Sequence, residues 1–472
     1  MTIFSFLSNY PKRFLSLFLT QIFFNFGFFG LKSLLILYLI HLNHLESKHI
    51  FTLFAALMSL CYSTSLLGGW IADKFIGPKA TLFIGSILTI LGMVSLMLPI
   101  KQSIYLGMSL VSIGSGCFKP NFSTLLSLLF KDPFDKRKDL AFTHLYVAMN
   151  IGSFLGPIVC GGAYQYFGWY PCLNLILLSF VIGSYVFFRY TPDVYKLLKN
   201  PYFHPFSASF VILVSIVLIY FLLNYDHLFD YFMIISMSLS LYGMIYIFYH
   251  ANVIEKNNLF KILFYILLFT CFCALFEQAG GSFVLFIDQY VARAFWGYSF
   301  PSASLLALNP ICILLFGKSI SSSFSKAFEK NRTLNGFTKF SIGFFFISLS
   351  FILLFIACHL SVEKIDIVWI VLISLLQVIG EVFIIPVGFT AISKLSPPRH
   401  LSLVMGLWLM AIAYGHYLAG FFAQFYFMSG TYIKTLTLNQ FEIFFLELGL
   451  FSLFLSLIIL TVHLLKSKIL FK

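Results

Sequence analysis

Long apolar runs recur along almost the whole chain, and they decide what it can fold into. Each run has about 20 residues or more, which is the length an α-helix needs to cross a hydrocarbon layer of about 30 Å. Only 10% of the 472 residues are charged. The sequence therefore predicts an all-α polytopic membrane protein. Its predicted spans are residues 14–41, 50–72, 79–100, 103–129, 140–166, 169–190, 206–224, 229–250, 259–288, 301–322, 337–359, 367–393, 401–428 and 441–466.

Two polar connections divide these 14 predicted transmembrane helices into groups of six, two and six. The first connection carries Arg189, Asp193, Lys196, Lys199 and Pro201, and the second carries Glu255, Lys256 and Lys261. The predicted domains are an N-terminal six-helix bundle over 1–190, a linker with two additional transmembrane helices over 191–258, and a C-terminal six-helix bundle over 259–472.

The basic residues predict the orientation of the chain. Its net charge is +13, and Lys and Arg gather in the cytoplasmic loops of membrane proteins. With the N-terminus inside, 23 of the 30 Lys and Arg residues lie on the cytoplasmic side, which predicts that both termini are cytoplasmic. The first run is too long for a signal peptide and is expected to remain in the protein. This charge reports topology, so no nucleic acid partner is expected.

The sequence shows no pattern for catalysis or for a cofactor. All eight cysteines lie in apolar runs or at their ends, and none forms a C-x-x-C pair, so they are interpreted as core residues. Metal-ligand spacing, a glycine-rich phosphate loop and a Ser/His/Asp grouping are all missing from the sequence. Neither an enzymatic activity, nor a metal, nor a cofactor is expected.

Four charged residues lie inside the apolar runs. An ionised side chain at the bilayer centre costs about 2.5 to 3.5 kcal/mol, so these residues are candidates for function. Lys32 and Lys119 belong to the N-terminal half, and Glu277 and Glu381 to the C-terminal half. A zwitterion would suit this set, with its carboxylate toward the lysines and its ammonium toward Glu381. Two alternatives stay open: the four residues neutralise one another and bind no ligand, or Lys32 and Glu277 form a gate.

Two histidines lie within predicted helices. His144 is near the cytoplasmic end of its run, whereas His416 is placed more deeply. A single histidine in a helix is more often a satisfied core residue than a proton relay, and His416 is interpreted in this way.

Seven stretches of the chain read as signatures of one family. They are GGWIADKFIG (68–77), GSGCFKPNFSTLLSLLF (114–130), AFTHLYVAMNIGSFLGPIVCG (141–161), ALFEQAGGS (274–282), LNP (308–310), GEVFIIPVGFTAISKLSPPR (380–399) and MGLWLMAIAYGHYLAG (405–420). In this order they resemble the proton-dependent oligopeptide transporter (POT) family of the major facilitator superfamily. The resemblance covers most of both six-helix bundles.

The resemblance implies a carrier of di- and tripeptides that works by alternating access in a bacterial inner membrane. It implies that Lys119, Asn150, Asn309, Glu381 and Trp408 line the peptide site, and that Lys32, in place of the usual arginine, pairs with Glu277. Tyr62, Phe28, Phe29 and Lys32 complete the predicted substrate site. Bacterial members also carry two extra helices between the bundles, as residues 206–250 do here. A monomer surrounded by membrane lipid is expected.

The first helix departs from the family pattern. The E-x-x-E-R-F signature, which is associated with proton coupling, reads QIFFNF at 21–26, so both acids and the arginine are gone. None of the replacements titrates near neutral pH. Coupling could persist if Glu277 takes up a proton when its pair with Lys32 opens, since burial and a nearby cation act on a carboxylate in opposite directions. Alternatively, the chain is an uncoupled facilitator or an exporter of another peptide-like metabolite.

Overall fold

Helices make up almost all of the chain that the structure describes. The computed structural model describes residues 12–41, 47–98, 100–127, 129, 136–190, 204–295, 298–329, 336–361, 364–397, 400–427 and 436–470. The helices are α1 (Lys12–His41), α2 (Ser47–Ile71), α3 (Gly77–Leu96), α4 (Lys101–Ser127), α5 (Lys136–Phe167), α6 (Trp169–Tyr190), α7 (Pro205–Asn224), α8 (Asp226–Tyr249), α9 (Val253–Phe276), α10 (Ser282–Tyr290), α11 (Leu308–Glu329), α12 (Gly336–Leu360), α13 (Ile367–Leu395), α14 (Leu401–Phe427) and α15 (Leu438–Leu470). The predicted helical architecture is confirmed.

Eleven helical segments in the described ranges are long and apolar enough to cross a membrane. Two of them exceed the length of one crossing: His49–Leu96 contains α2 and α3, and Val253–Tyr290 contains α9 and α10. The polar residues of α4 keep it outside this set, although most of its side chains are buried in protein. α11 starts within a shorter apolar stretch, Ser302–Gly317. The count of 14 spans stays a prediction.

Four strands of two residues each lie between helices in the described ranges. β1 (Val291–Ala292) pairs in parallel with β4 (Ile365–Asp366), and β2 (Ala294–Phe295) pairs antiparallel with β3 (Tyr298–Ser299). β1 follows α10 and β4 precedes α13, so the first pair ties these two helix ends together. The last residue of β4 also caps α13, because the carboxylate of Asp366 accepts a hydrogen bond from the Val368 backbone N–H at 2.8 Å.

Contacts divide the chain into two compact units. The first unit comprises Met1–His44 and Ala56–Asp230, and the second unit comprises Leu45–Ala55 and Tyr231–Lys472. The predicted three-part division of the chain stays a prediction.

Small residues bring the helices of the first unit close together. α3 packs along α4, and α1 packs along α5 and α6. α2 meets α4 at Gly68, where any Cβ atom would collide with the backbone of Gly116. Asn121 spans the same contact, because its Nδ2 donates a hydrogen bond to the Gly68 carbonyl at 3.2 Å. This close approach fixes the part of α4 that carries Lys119.

In the second unit, α12 packs along α13 and α15, and α9 packs along α14. The start of α2 belongs to this unit as well. Ala55 packs against Gly420, and Gln424 donates a hydrogen bond from Nε2 to Thr52 Oγ1 at 3.0 Å. These contacts hold α14 against α2, so α14 is supported on two sides.

A break separates α9 from α10. The sequence predicts one continuous run over 259–288, but the structure has a 3₁₀ turn at Glu277–Gly280 between the two helices. The turn ends in the pair Gly280 and Gly281, and glycine is costly in the interior of a helix because of its backbone freedom. Glu277, one of the four charged residues inside the apolar runs, therefore lies at this break rather than in the middle of a continuous helix.

Candidate functional site

Lys119 of the first unit lies between two aromatic rings. Its Nζ is 3.9 Å from the ring centroid of Phe28 on α1 and 4.1 Å from that of Tyr62 on α2. The nitrogen itself is buried. A desolvated cation–π contact of this kind is worth about 2 kcal/mol, and the rings stabilise the ammonium without adding a negative charge. The structure thus brings together three residues of the predicted substrate site.

A second lysine of the first unit lies near the next ring of α1. Lys32 Nζ is 5.7 Å from the ring centroid of Phe29, which is a looser contact than either ring makes with Lys119. Phe29 in turn meets Phe28 edge-on, with their centroids 5.6 Å apart. Both predicted cations of the site therefore lie beside adjacent aromatic residues of one helix.

Asn150 lies on α5, which packs tightly against α1. A Cβ on Gly152 would collide with the Ile22 carbonyl of α1, so the two backbones are close here. Asn150 is buried, and its Nδ2 donates a hydrogen bond to the Tyr146 carbonyl of its own helix at 2.9 Å. One hydrogen of its amide is thus used locally, and its contact with a peptide stays a prediction.

The altered first-helix signature forms a packed apolar cluster. Phe24 stacks on Phe118 of α4 with ring centroids 3.8 Å apart, and it meets Phe180 of α6 edge-on at 5.3 Å. Asn25 donates from Nδ2 to the Gln21 carbonyl at 2.8 Å. Phe24 stands at one of the two acid positions of the family signature. Its ring packs on Phe118, the residue that precedes Lys119.

In the second unit, Glu381 and Asn309 lie in contact. The Glu381 carboxylate on α13 accepts a hydrogen bond from Asn309 Nδ2 on α11 at 3.1 Å. Glu381 is 9% exposed, so its carboxylate is largely removed from water. Two more residues of the predicted substrate site are thus brought together, and the amide orients the carboxylate without neutralising it.

Trp408 is packed inside the second unit. Its indole stacks on Phe269 of α9 at 3.8 Å with an interplanar angle of 7°, and only 2% of the residue is exposed. Gly388 of α13 makes room for the ring, because a Cβ there would collide with it. The indole supports α9 and α13 in this conformation, and its predicted contact with substrate is not tested.

Sequence reasoning missed one contact of Glu277. His416 Nδ1 on α14 lies 3.4 Å from Glu277 Oε2, although His416 was interpreted as a satisfied core residue. The side chains are 1% and 11% exposed, respectively. The only signal available in the sequence was the depth of His416 in its run. Hydropathy cannot show which residues of two distant helices face each other.

A neighbouring glutamine holds the joint in place and was also missed. Gln278 is buried, and its Nε2 donates hydrogen bonds to the carbonyls of Ala274 on α9 and Ala419 on α14 at 3.3 and 3.0 Å. Its Oε1 accepts one from Ser282 Oγ on α10 at 2.7 Å. One side chain thus links both halves of the broken helix to α14.

The chain is similar in sequence to known permeases. A family model described as "POT family" matches residues 79–437. The dipeptide and tripeptide permease B of Photorhabdus asymbiotica is 25% identical over 427 residues, which cover 88% of this chain and 87% of that protein. The dipeptide and tripeptide permease A of Yersinia pestis is 27% identical over 422 residues, which cover 87% of this chain and 83% of that protein.

The chain is also similar in fold to solved transporters. A crystal structure of a mutant of the peptide transporter POT in complex with alafosfalin matches with a TM-score of 0.83 at 23% identity, covering 96% of this chain and 94% of that one. A crystal structure of a POT family transporter in complex with 5-aminolevulinic acid matches with a TM-score of 0.81 at 23% identity, covering 96% of both chains. At this level of identity the likeness establishes a shared fold.

Proposed function

Since this chain belongs to the POT family, we propose that it carries di- and tripeptides across the bacterial inner membrane by alternating access. Transport is secondary active and coupled to protons. Members of this family are transporters, so the protein is a multi-pass membrane carrier rather than an enzyme.

The observation that carries this proposal is the separation of charge between the two units. The first unit holds Lys119 between aromatic rings, and the second holds Glu381 on an amide. A peptide of two or three residues is a zwitterion, so its carboxylate binds the lysines and its ammonium binds Glu381. Charge-assisted hydrogen bonds of this kind are about twice as strong as neutral ones.

The remaining predicted residues complete the substrate site in this proposal. Asn150 and Asn309 offer amides to the peptide backbone. Phe28, Phe29 and Tyr62 line the carboxylate end of the site, and Trp408 lines the ammonium end. Lys32 and Glu277 keep their predicted gating role, which a charge swap tests. Lys32→Glu and Glu277→Lys should each abolish uptake, and the double variant should recover part of it.

Uptake of labelled dialanine into proteoliposomes tests the proposed substrate class. Glu381→Gln keeps the shape of the side chain and removes its charge, so uptake should fall at least tenfold. The matched control is Glu442→Gln, because Glu442 belongs to the same unit and pairs with the exposed His359 at 2.9 Å. Normal uptake by Glu381→Gln would count against a peptide carrier of this design.

A second candidate function follows from the altered first helix. The Phe24–Phe118 stack occupies the region where the family signature carries acids, which favours an uncoupled facilitator or an exporter of another peptide-like metabolite. Two measurements separate the candidates. A thermal-shift panel reveals whether peptides or only other solutes stabilise the protein. Accumulation of dialanine with and without an imposed pH gradient reveals coupling.

The proposal also includes the topology. We propose 14 spans with both termini in the cytoplasm, in which α2 and α3 cross separately and α4 and α11 each cross once. The protein acts as a monomer. Reporter fusions at the polar connections and at both ends test the orientation, and the mass of the detergent-solubilised protein tests the oligomeric state.

A further inference from the structure

We propose that His416 and Glu277 together form the proton-binding site of this transporter. This inference rests on the proposed function and extends it, because the sequence and the family resemblance give His416 no role. The site would bind one proton per cycle at the joint between α9 and α10.

A proton-coupled carrier needs a buried group that changes charge near neutral pH. The first-helix segment 21–26 has no such group in this chain, since Gln, Asn and aromatic side chains do not titrate there. Histidine is the one side chain whose ordinary titration falls between pH 5 and 8. A histidine held against a carboxylate within the membrane-spanning part of the fold can therefore bind the proton in place of the missing acids.

The geometry places His416 and Glu277 for this purpose. His416 Nδ1 and Glu277 Oε2 are 3.4 Å apart, and they come from α14 and from the first position of the 3₁₀ turn Glu277–Gly280. With 1% and 11% of their side chains exposed, the two groups are nearly removed from water. At this distance and burial, the protonation of one group strongly changes the energy of the other.

The charge of the pair changes with a single proton. With a neutral imidazole and an ionised carboxylate, the pair carries one negative charge, which is costly to bury unless a cation or water reaches it. One proton, taken up on Nδ1 or on the carboxylate, leaves the pair with no net charge. The protonated pair is therefore compatible with burial away from water. The deprotonated pair favours contact with water or with a neutralising cation.

The pair lies where a small change can move a helix. Glu277 stands at the break in the helix, and the next residue, Gln278, anchors that break to Ala274 and Ala419. Gain or loss of the His416–Glu277 interaction would thus act on the angle between α9 and α10 relative to α14. In this arrangement the proton binds at the same break, between α9 and α10, at which the helix would bend.

Other titratable groups lie on the elements of the second unit that contact α14. The elements in contact with α14 are α8, α9, the 3₁₀ turn, α13, α15 and the start of α2. They and α14 itself carry His49, Tyr231, Tyr242, Tyr246, Tyr249, Glu255, Lys256, Lys261, Tyr265, Cys271, Cys273, Glu381, Lys394, Tyr414, Tyr417, Tyr426, Glu442 and Glu447. Several have partners elsewhere: the Tyr414 hydroxyl bonds to Ser236 and Ser240, Glu381 to Asn309, and Glu442 to His359. Cys273 packs against Gly415, and thiols and phenols ordinarily titrate above neutral pH. The resemblance also pairs Lys32 with Glu277.

Transport in proteoliposomes tests the proposal. At a pH gradient of one unit, one coupled proton supports up to about tenfold accumulation of dialanine. His416→Asn should lose this accumulation while dialanine counterflow, which needs no net proton movement, persists. His359→Asn is the matched control, since it removes a histidine from another His–Glu pair of the same unit. Accumulation by His416→Asn equal to that of the wild type would overturn the proposal.

A direct titration decides the question without transport. In protein labelled with ¹⁵N-histidine, the signal that disappears in His416→Asn should titrate with a different midpoint in Glu277→Gln than in the wild type. Glu277→Gln keeps the His416 ring and a polar partner for it. The titration can therefore test the pair even if His416→Asn fails to fold. Equal midpoints would refute the pair. If the wild type shows no counterflow of dialanine, the proposed substrate fails, whereas the titration still tests the proton site.

Discussion

The buried charged side chains of the two units have different neighbours. In the first unit Lys119 lies against the neutral faces of Phe28 and Tyr62, whereas in the second Glu381 and Glu277 each contact a polar side chain. In the first unit the Lys119 ammonium supplies the positive charge between the two rings. The second unit places the Glu277 carboxylate beside the His416 ring. In the proposed function, the first unit anchors the substrate carboxylate and the second unit binds the proton.

Removal of the Lys119 charge should have the largest effect on dialanine affinity. Lys119→Gln takes away the cation between the two rings, and loss of one partner of a buried charge pair costs about 2 to 5 kcal/mol. Dialanine affinity should therefore fall by at least about 30-fold. Calorimetric titration of purified protein measures this, with Lys101→Gln at the exposed start of the same helix as its control. Similar affinities in the two variants would mean that Lys119 does not anchor the peptide.

The fold was more predictable than the contacts within it. Apolar runs predicted the helices well, since span length is set by the bilayer and is visible in any window of the sequence. The break at Glu277–Gly280 was missed because hydropathy counts residues and does not register the backbone cost of Gly280 and Gly281.

The candidate site was predicted in part. Lys119 and Glu381 stand out because charge is rare in apolar runs, and the family resemblance added Asn309 as a further site residue without placing it beside Glu381. The contact between His416 and Glu277 was not predictable, because it depends on how two helices distant in sequence are rotated. Periodicity alone does not determine that rotation.

A packing variant of the second unit should show the next largest effect. Gly388→Ala places a methyl group against the indole of Trp408, and overpacking of a filled core costs about 1 to 3 kcal/mol. The melting temperature should fall by several degrees. Gly243→Ala on α8 is the control, because a Cβ there meets no atom within 4 Å and alanine favours the helix. An unchanged melting temperature in Gly388→Ala would show that the indole can move aside.

The aromatic rings around Lys119 should have an intermediate effect. Phe28→Leu and Tyr62→Leu each keep an apolar side chain but remove one ring face, at 3.9 and 4.1 Å from the ammonium respectively. Each loss is worth about 1 to 2 kcal/mol, so dialanine affinity should change by roughly five- to thirtyfold. The Leu variants should change affinity in the same direction and by similar amounts. Unequal effects would show that the Tyr62 hydroxyl, rather than its ring, matters.

The smallest effect is expected at Phe29, the neighbour of Phe28 on the same helix. Its centroid is 5.7 Å from Lys32 Nζ, near the limit of about 6 Å for a cation–π contact, where the interaction is worth about 0.5 to 1 kcal/mol. Phe29→Leu should therefore change dialanine affinity by no more than about fivefold, and by less than Phe28→Leu does. The same calorimetric titration compares the two variants on one backbone. If Phe29→Leu proves the more damaging, Lys32 on α1 rather than Lys119 on α4 is the principal cation for the peptide carboxylate.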